Sequence, residues 1–505
     1  MNMQGQQVLV VGLGASGLAM ARWCAGQGAQ ITVLDDRAAP PYAATLAQDI
    51  PSARLLHGAL DAQALAQGPF QRICISPGLA PHRISALVDA ARAQGLWVGS
   101  ELGLFAQALR ELQEAQAYQA KIIAITGTNG KTTVTSLTGQ LVARAGKTVA
   151  IAGNIGPTLL DTLAQALQTQ ALPQVWVLEL SSFQLHYAQD FEPTVATVLN
   201  LSQDHLDWHT DVQDYARAKA CIFGSKALML LNRDDAQVMA MLPEPQRVKL
   251  QKPVQRAHFC FSAQTPSHAG DYGLEEVNGM VWLVRAAPAD ETHKRGRNAP
   301  VEDLFLQRLM PADALRIRGR HNACNALAAI ALASATGCAL GPMLFGLREY
   351  SGEPHRVQSL GVVGAVEYFD DSKGTNVGAT VAALQGLGQD RELVLILGGE
   401  GKGQDFAPLA APVRAYVRAV LLIGRDARLI RQALEGTGVS LHDAASMDDA
   451  VQQAATLAQQ GDAVLMSPAC ASFDMFQDYA HRAAVFAQAV QSLALAQGQM
   501  LEAAL

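Results

Sequence analysis

The chain has 505 residues, half of them hydrophobic and 16% charged, with a formal net charge of −7. Such a length exceeds one hydrophobic core and sets an expectation of about three domains. The balance excludes a disordered chain, and the acidity argues against a nucleic-acid partner. No apolar run approaches the ~18 residues of a membrane span. The start MNMQGQQ lacks the basic and apolar blocks of a secretory leader. Seven cysteines lie scattered without a C-x-x-C pair, so reduced thiols and a cytoplasmic location are expected.

The first hundred residues alternate strand and helix. QVLVV reads as a buried strand and runs into Gly12-Leu13-Gly14-Ala15-Ser16-Gly17, a G-x-G-x-x-G match, then into the apolar helix LAMARWCAGQG. A second strand, QITVLDD, ends in Asp35 and Asp36. This is a dinucleotide-binding βαβ layout, with an acidic residue about 20 positions past the glycines. On its own it leaves a nicotinamide-dependent oxidoreductase open. RICISPG and LWVGSEL continue the strands, and LFAQALRELQEAQAYQA reads as a helix leading into a linker.

A second α/β unit opens at KIIAITGTNGKTT. Its segment Gly127, Thr128, Asn129, Gly130, Lys131, Thr132, Thr133 lies between a strand and a helix and reads as a phosphate-binding loop. Glycines let backbone N–H groups close around phosphate oxygens, and the helix N-terminus favours the anion. Lys131 is placed to reach the β/γ-phosphates and Thr132 to hold Mg²⁺. The loop is shorter at its front than G-x-x-x-x-G-K-[ST], since position 125 is Ile.

TVAIAG, VWVLEL, TVATVLN and ALMLLN are further strands. VWVLEL delivers Glu179 to a strand end, where a carboxylate can hold Mg²⁺ beside the loop. NLSQDHLDWH groups Asp204, His205 and Asp207, with His205 a candidate metal ligand. Lys219 in YARAK carries no signal of its own. From about 253 to 310 the chain is rich in Pro, Gly and charge, which predicts loops and short antiparallel strands with a surface insertion near 262–305. RGRHNACNALAAIALASATG reads as a helix with a polar start.

Around 352 a third α/β segment begins, with strands AVEYFDDS, ELVLILGG, AVLLIGRD and AVLMSPA. The loops EYFDDSKGTN, LGGEGKGQDF and SPACASFDMF set Lys373, Lys402 and Cys470 at strand ends, where one binding face is expected. Cys470 has no paired His base and is assigned to packing.

In this order, GLGASG, SPG, GTNGKTT, GNIG, LELSSFQL, DHLD, YARAK, GRHNACN, PHR, DDSKGTN, LGGEGKGQDF and SPACASFD resemble the Mur ligase family of ATP-dependent amide ligases over nearly the whole chain. The resemblance implies three α/β domains. These are a Rossmann-like UDP-binding domain (1–100), a central P-loop-type ATPase domain (101–352) and a C-terminal Rossmann-like domain (353–505) for D-glutamate and part of ATP. The N-terminal glycines would then meet a UDP diphosphate rather than NAD. The implied reaction passes the γ-phosphate of ATP to the carboxylate of UDP-N-acetylmuramoyl-L-alanine. The amine of D-glutamate then displaces phosphate from the acyl phosphate, in peptidoglycan precursor synthesis.

By the same resemblance Ala15, Ser16, Asp35, Asp36, Arg37 and Gly78 line the UDP site, and Asn154 lies near the ATP phosphates and that substrate. Asn325, Arg356 and Asp371 join the phosphate loop around ATP. Lys131, Glu179, His205, Lys219 and Lys373 form the catalytic set. Two Mg²⁺ ions are implied, held through Thr132, Glu179, His205 and Lys219, the last carbamylated to N6-carboxylysine. Thr375, Lys402, Ser472 and Tyr479 match D-glutamate positions.

Tyr479 stands where the family often has Phe, and Gly103 where relatives often have Glu. The L-alanine-adding branch usually has His at the position of Asn129, the diaminopimelate-adding branch usually carries a D-N-P motif absent here, and folylpolyglutamate synthases lack the UDP domain. A non-catalytic nucleotide-binding regulator is disfavoured by intact Lys131, Glu179, His205 and Lys219. No partner chain is implied, and a monomer is expected.

Overall fold

The computed structural model describes residues 3–205, 208–245, 254–289, 304–389 and 391–501. Three sheets follow one another along the chain. The apolar runs of the first segment form β1 (Gln7–Val11), β2 (Gln30–Asp35), β3 (Arg54–His57), β4 (Arg72–Ile75) and β5 (Trp97–Gly99), all parallel, in the order β3-β2-β1-β4-β5. The order reverses between β1 and β4, so a crevice opens outside their carboxyl ends. Gly12 turns the chain there with φ +87°, and a Cβ on Gly17 would sit 2.0 Å from the Gly12 carbonyl oxygen. Only glycine lets the helix Ala15–Gly26 lie this close to the turn.

The second sheet holds nine strands. They are β6 (Lys121–Thr126), β7 (Val149–Gly153), β8 (Val175–Glu179), β9 (Val195–Val198), β10 (Leu228–Asn232), β11 (His258–Phe261), β12 (Tyr272–Val277), β13 (Met280–Pro288) and β14 (Leu304–Pro311). Their order is β14-β13-β12-β11-β10-β9-β6-β8-β7. The six from β6 to β11 pair in parallel, and β12 to β14 add an antiparallel flank. The helices Lys131–Arg144 and Arg320–Ala335 cover one face through a shared core that includes Leu137, Leu141, Leu327 and Ile330.

The third sheet contains β15 (Gln358–Val363), β16 (Val366–Asp370), β17 (Leu393–Gly398), β18 (Val417–Ile423), β19 (Ser440–Asp443) and β20 (Ala463–Met466), ordered β15-β16-β20-β17-β18-β19. Only the β15–β16 pair is antiparallel. No helix among the described residues is long and apolar enough to cross a membrane.

The antiparallel strands expected near 262–305 are present, and β12 and β13 join the core rather than standing on the surface. Tyr272 and Leu274 of β12 and Leu283 of β13 lie in the same core as Leu141 and Leu327. The polar composition of the stretch reflects strands with one solvated face, since Glu276, Met280 and Arg285 are exposed. Residues 290–303 and Asp207 fall outside the described residues.

The joint between the first two sheets is a buried carboxyl. Glu101 opens the helix Glu101–Gln116, is 1% exposed, and accepts the Leu160 amide (3.1 Å) with the Ser16 hydroxyl beside it. Burial pushes its pKa from an ordinary 4.5 up to about 7.

Two outcomes follow from this packing. Excision of 262–305 strips apolar strands from the core, so soluble expression should be lost; a soluble deletion with wild-type melting would show the flank to be dispensable. For Glu101 the folded chain favours the protonated acid. Its stabilisation is complete below about 4.5 and disappears as the pH climbs through about 7. Melting curves of Glu101→Gln and wild type should therefore diverge in favour of the variant between pH 5 and pH 8. A gap that does not move with pH would mean the acid is ionised throughout.

Candidate active site

The phosphate loop stands at the end of β6, between β8 and β9, where the two neighbouring strands also end. Lys131 opens the following helix and folds back, its Nζ donating to the carbonyls of Gly127 (2.9 Å) and Thr128 (2.8 Å). Lys219, from the helix Val212–Ala220, reaches the same place. Its Nζ donates to the Gly127 carbonyl (2.9 Å) and Thr126 Oγ1 (3.2 Å) and lies 4.6 Å above the Tyr215 ring. Lys219 is 1% exposed, and burial drives its ammonium well below the usual lysine range, with Lys131 adding repulsion. Burial lowers Lys131 as well. Asn129 is pinned by Asn200, whose Oδ1 accepts its amide at 2.9 Å.

Glu179 closes β8 and is buried. Its Oε1 accepts from Asn154 Nδ2 (2.8 Å), while Oε2 has no hydrogen-bond partner among the described residues. The structure therefore puts Asn154 against Glu179, not in the N-terminal cleft. His205 adopts φ +55° and stands over the edge of Phe183, with ring centroids 4.9 Å apart. Burial lowers its pKa. Among the described residues no three His, Cys, Asp or Glu side chains converge as a ready-made metal cage.

The third sheet brings its loops against this one. Arg356 Nη2 donates to Thr132 Oγ1 (2.7 Å). Asn376, the N-cap of the helix Val377–Leu387, donates to Asn129 Oδ1 (3.3 Å) and Asp204 Oδ2 (3.2 Å). Asn129, Gly130, Thr133, Asn325, Arg356, Asp371 and Lys373 line a single cleft between the two sheets, joined by His321. Asn325 reaches the loop itself, since a Cβ on Gly130 would lie 2.8 Å from its Oδ1. Burial pushes Asp371 up to about 7, against the hydrogen bond from Ser467 Oγ (2.7 Å).

A neighbouring cleft gathers Asp204, His205, Thr375 and Lys402. Lys402 lies exposed between two glycines at φ +51°. Ser472 and Tyr479 do not line that cleft. Ser472 is buried, and its carbonyl accepts the Met475 and Phe476 amides. The Tyr479 hydroxyl accepts from Lys373 Nζ (3.0 Å), which also sits over the ring at 4.3 Å. Cys470 is buried, and burial pushes its thiol up to about 12, which suits packing.

The N-terminal crevice is lined by Gly12, Gly14, Asp35, Asp36, Arg37, Ser76, Gly78 and Arg83. Ala15 and Ser16 stand at the start of the adjoining helix. Arg37 grips Asp35 through Nε (2.8 Å) and Nη2 (2.7 Å), holding that carboxyl at about 2, and the Leu13 amide adds a third contact (2.7 Å). Arg83 pairs with Asp36 at the exposed rim. Arg83, Asn376 and His321 were not singled out from the sequence. Asn376 alone had a local sign there, as an Asn just before the apolar run VGATVAAL.

Comparison with known proteins agrees with this layout. The N-terminal domain of MurD-like Mur ligases matches residues 6–99, the Mur ligase middle domain 125–333, and the Mur ligase glutamate ligase domain 355–470. A relative from Albidiferax ferrireducens is 62% identical over 99% of both chains. One from Polaromonas sp. is 55% identical over 99% of this chain and all of its own, and one from Burkholderia thailandensis 54% identical over 99% of both. All three are named UDP-N-acetylmuramoylalanine--D-glutamate ligase. The chain belongs to the Mur ligase family. Solved Mur ligases share its fold. MurF from Thermotoga maritima in complex with ADP has a TM-score of 0.57 at 15% identity, over 97% of this chain and 96% of its own. The UDP-N-acetylmuramate-alanine ligase MurC of the same organism has 0.54 at 17%, over 96% and 99%.

The rim position of Arg83 has a measurable consequence. Its partner is a single part-exposed carboxylate, so it can turn to a diphosphate at little cost. Arg83→Ala should weaken UDP binding in calorimetry roughly fivefold, the worth of one exposed charge pair, and the loss should shrink at high salt. Unchanged affinity at low salt would remove Arg83 from the site.

Proposed function

We infer that the chain is an ATP-dependent ligase that joins D-glutamate to UDP-N-acetylmuramoyl-L-alanine in peptidoglycan precursor synthesis. The observation that carries this reading is the 62% identity, end to end, with a relative of that name. The charged and polar side chains of the two clefts between the second and third sheets support it.

Three anionic reactants must meet: a nucleotide triphosphate, a carboxylate and an amino acid. Lys131, Arg356 and Lys373 supply positive charge around the phosphate loop, and the backbone amides of Gly127–Thr133 cradle phosphate oxygens. The carboxylate of the UDP substrate takes the γ-phosphoryl group of ATP as the β,γ-phosphoanhydride bond breaks and ADP leaves, which turns a poor acyl donor into an acyl phosphate. The D-glutamate amine then attacks the carbonyl, phosphate leaves, and the amine loses a proton. Asn325 and Asp371 face the nucleotide cleft, while Thr375 and Lys402 face the cleft beside His205, where Lys402 offers a cation to a carboxylate of D-glutamate. Ser472 lies in the loop after β20, Tyr479 opens the helix Tyr479–Ala496, and Tyr479 acts on the site through Lys373.

The donor set fits Mg²⁺. Glu179 presents a buried unpartnered oxygen and Thr132 a hydroxyl at the start of a helix. Mg²⁺ is commonly held by one or two carboxylates plus substrate phosphates rather than by an all-protein cage. When bound, the ions offset the repulsion between phosphates and carboxylate. His205 and Lys219 would hold the second of two ions. Lys219 can ligate only after carbamylation. Its depressed pKa favours the free amine, which adds to CO₂ and releases one proton to give a carboxylate. Ala15, Ser16, Asp35, Asp36, Arg37 and Gly78 would hold UDP, with Asn154 at the phosphate end of the substrate. Domain limits near 100 and 352, a cytoplasmic location and a monomeric state complete the reading.

Phosphate release from ATP and Mg²⁺ with UDP-N-acetylmuramoyl-L-alanine tests it. Release should require D-glutamate and fail with L-glutamate, L-alanine and meso-diaminopimelate. Release with a different amino acid would move the chain within its family, and none with any of them would overturn the reading. Lys131→Ala should lower turnover at least 100-fold, as loss of a preorganised phosphate contact does, while UDP binding stays intact. A near-normal rate would overturn the loop assignment.

A further inference from the structure

One imidazole outside the set described above touches all three segments that bear Glu179, His205 and Lys219. His209 is 2% exposed. Its Nδ1 lies 3.1 Å from Asp214 Oδ2 and its Nε2 3.0 Å from Ser182 Oγ. An ionised carboxylate only accepts, so Nδ1 bears the proton, Nε2 accepts, and the Ser182 hydroxyl donates. Burial keeps the ring on the neutral side.

Each contact leads to a different ligand-bearing segment. Ser182 opens the helix Ser182–His186, three residues after Glu179 at the end of β8. Asp214 lies in the first turn of Val212–Ala220, the helix that carries Lys219. Its neighbour Tyr215 bonds Thr128 Oγ1 (3.1 Å) and underlies the Lys219 ammonium. The third contact is the His209 amide itself, which donates to the His205 carbonyl (3.0 Å). The chain Ser182–His209–Asp214 has the composition of a hydrolytic triad, but Ser182 is itself 2% exposed and lines none of the three clefts described above. No substrate carbonyl can reach its hydroxyl, so the array is a clamp rather than a nucleophile system.

We propose that His209 is a positioning residue that fixes Glu179, His205 and Lys219 relative to one another, and thereby sets the affinity of the site for a divalent cation. The proposal takes the identity of those three ligands from the function inferred above. The residues behind metal ligands orient them, and losing one commonly costs 10- to 100-fold in metal affinity.

Mn²⁺ binding to the full-length protein with a non-hydrolysable ATP analogue, read from the free-ion signal in electron paramagnetic resonance, separates the cases. His209→Ala should weaken Mn²⁺ binding roughly 10- to 100-fold and leave UDP affinity at the N-terminal crevice within about twofold of wild type. His209→Asn keeps a donor toward Asp214 and should recover part of the loss. In an Asp214→Asn background the further effect of His209→Ala should shrink, since the clamp is already broken. Wild-type Mn²⁺ affinity in folded His209→Ala would overturn the proposal. If that variant does not fold, Ser182→Ala and His209→Asn carry the test, and unchanged affinity in both overturns it equally. Wild type that binds no Mn²⁺ would instead overturn the ligand assignment on which the proposal rests, whereas binding by wild type that the variants share fully would sink the clamp alone.

Discussion

Lys131 and Lys219 both end on the carbonyl oxygen of Gly127, each at 2.9 Å, and among the described residues no carboxylate hydrogen-bonds to either Nζ. Burial penalises the charged form of both, and a charge on Lys131 pushes Lys219 further toward its free amine. Their nearest counter-charges, Glu179 and Asp204, act at longer range and are engaged elsewhere, Glu179 by Asn154 and Asp204 by Asn376. The arrangement is therefore a lysine pair held by backbone carbonyls, with Lys219 the readier of the two to give up its proton. A triphosphate at the loop would hold Lys131 in its charged form. Much else in the fold serves to keep this centre in place. β6 and β9 deliver the loop, Tyr215 supports Lys219, and Arg356 closes over Thr132 from the third sheet.

The same centre explains how a chain of net charge −7 handles anionic reactants. Overall charge governs solubility and long-range steering, whereas binding is decided within a few ångströms. Lys131, Lys219, Arg356, Lys373 and Lys402 arrive from five separate segments: Arg356 and Lys373 line one cleft, Lys402 lines its neighbour, and Lys131 and Lys219 stand at the phosphate loop.

Much of this was legible because strand-end loops put chemistry and structure in one short run of sequence. GTNGKTT, LELSS and DDSKGTN each announce a strand, its end and a polar cluster, and the predicted strands of all three sheets formed at QVLVV, KIIAIT, VWVLE and LVLILG. β3 and β19 were not foreseen, since RLLH and SLHD are four-residue edge strands with no fully buried residue. The antiparallel strands of the flank β12–β14 were expected, but their place in the core was not, because a strand with one wet face shares its composition with a surface loop. Contacts between distant segments left no trace at all. Arg356 meets Thr132 across 224 residues, and His209 meets Ser182 across 27. No periodicity or spacing encodes either pair. Tyr479 shows the limit in another way: its extra hydroxyl, visible as a departure, is explained only once Lys373 is seen donating to it.

The N-terminal glycines show why a motif and its ligand are separate questions. A nicotinamide cofactor would need the acid after β2 to accept hydrogen bonds from a ribose. Asp35 occupies that place, but its oxygens already take the Leu13 amide and the Nε, Nη2 and main-chain amide of Arg37. A carboxylate has about four acceptor positions, and all are used. A ribose could gain Asp35 only by displacing Arg37 from a bidentate pair. What the crevice leaves available is the helix N-terminus beyond Gly14, where no acidic residue occupies the first turn, together with the arginines at its rim. Those groups favour a diphosphate and place no demand on a nicotinamide ring. The backbone physics of the glycine turn is thus kept, while the side chains around it have already committed the acid to another partner.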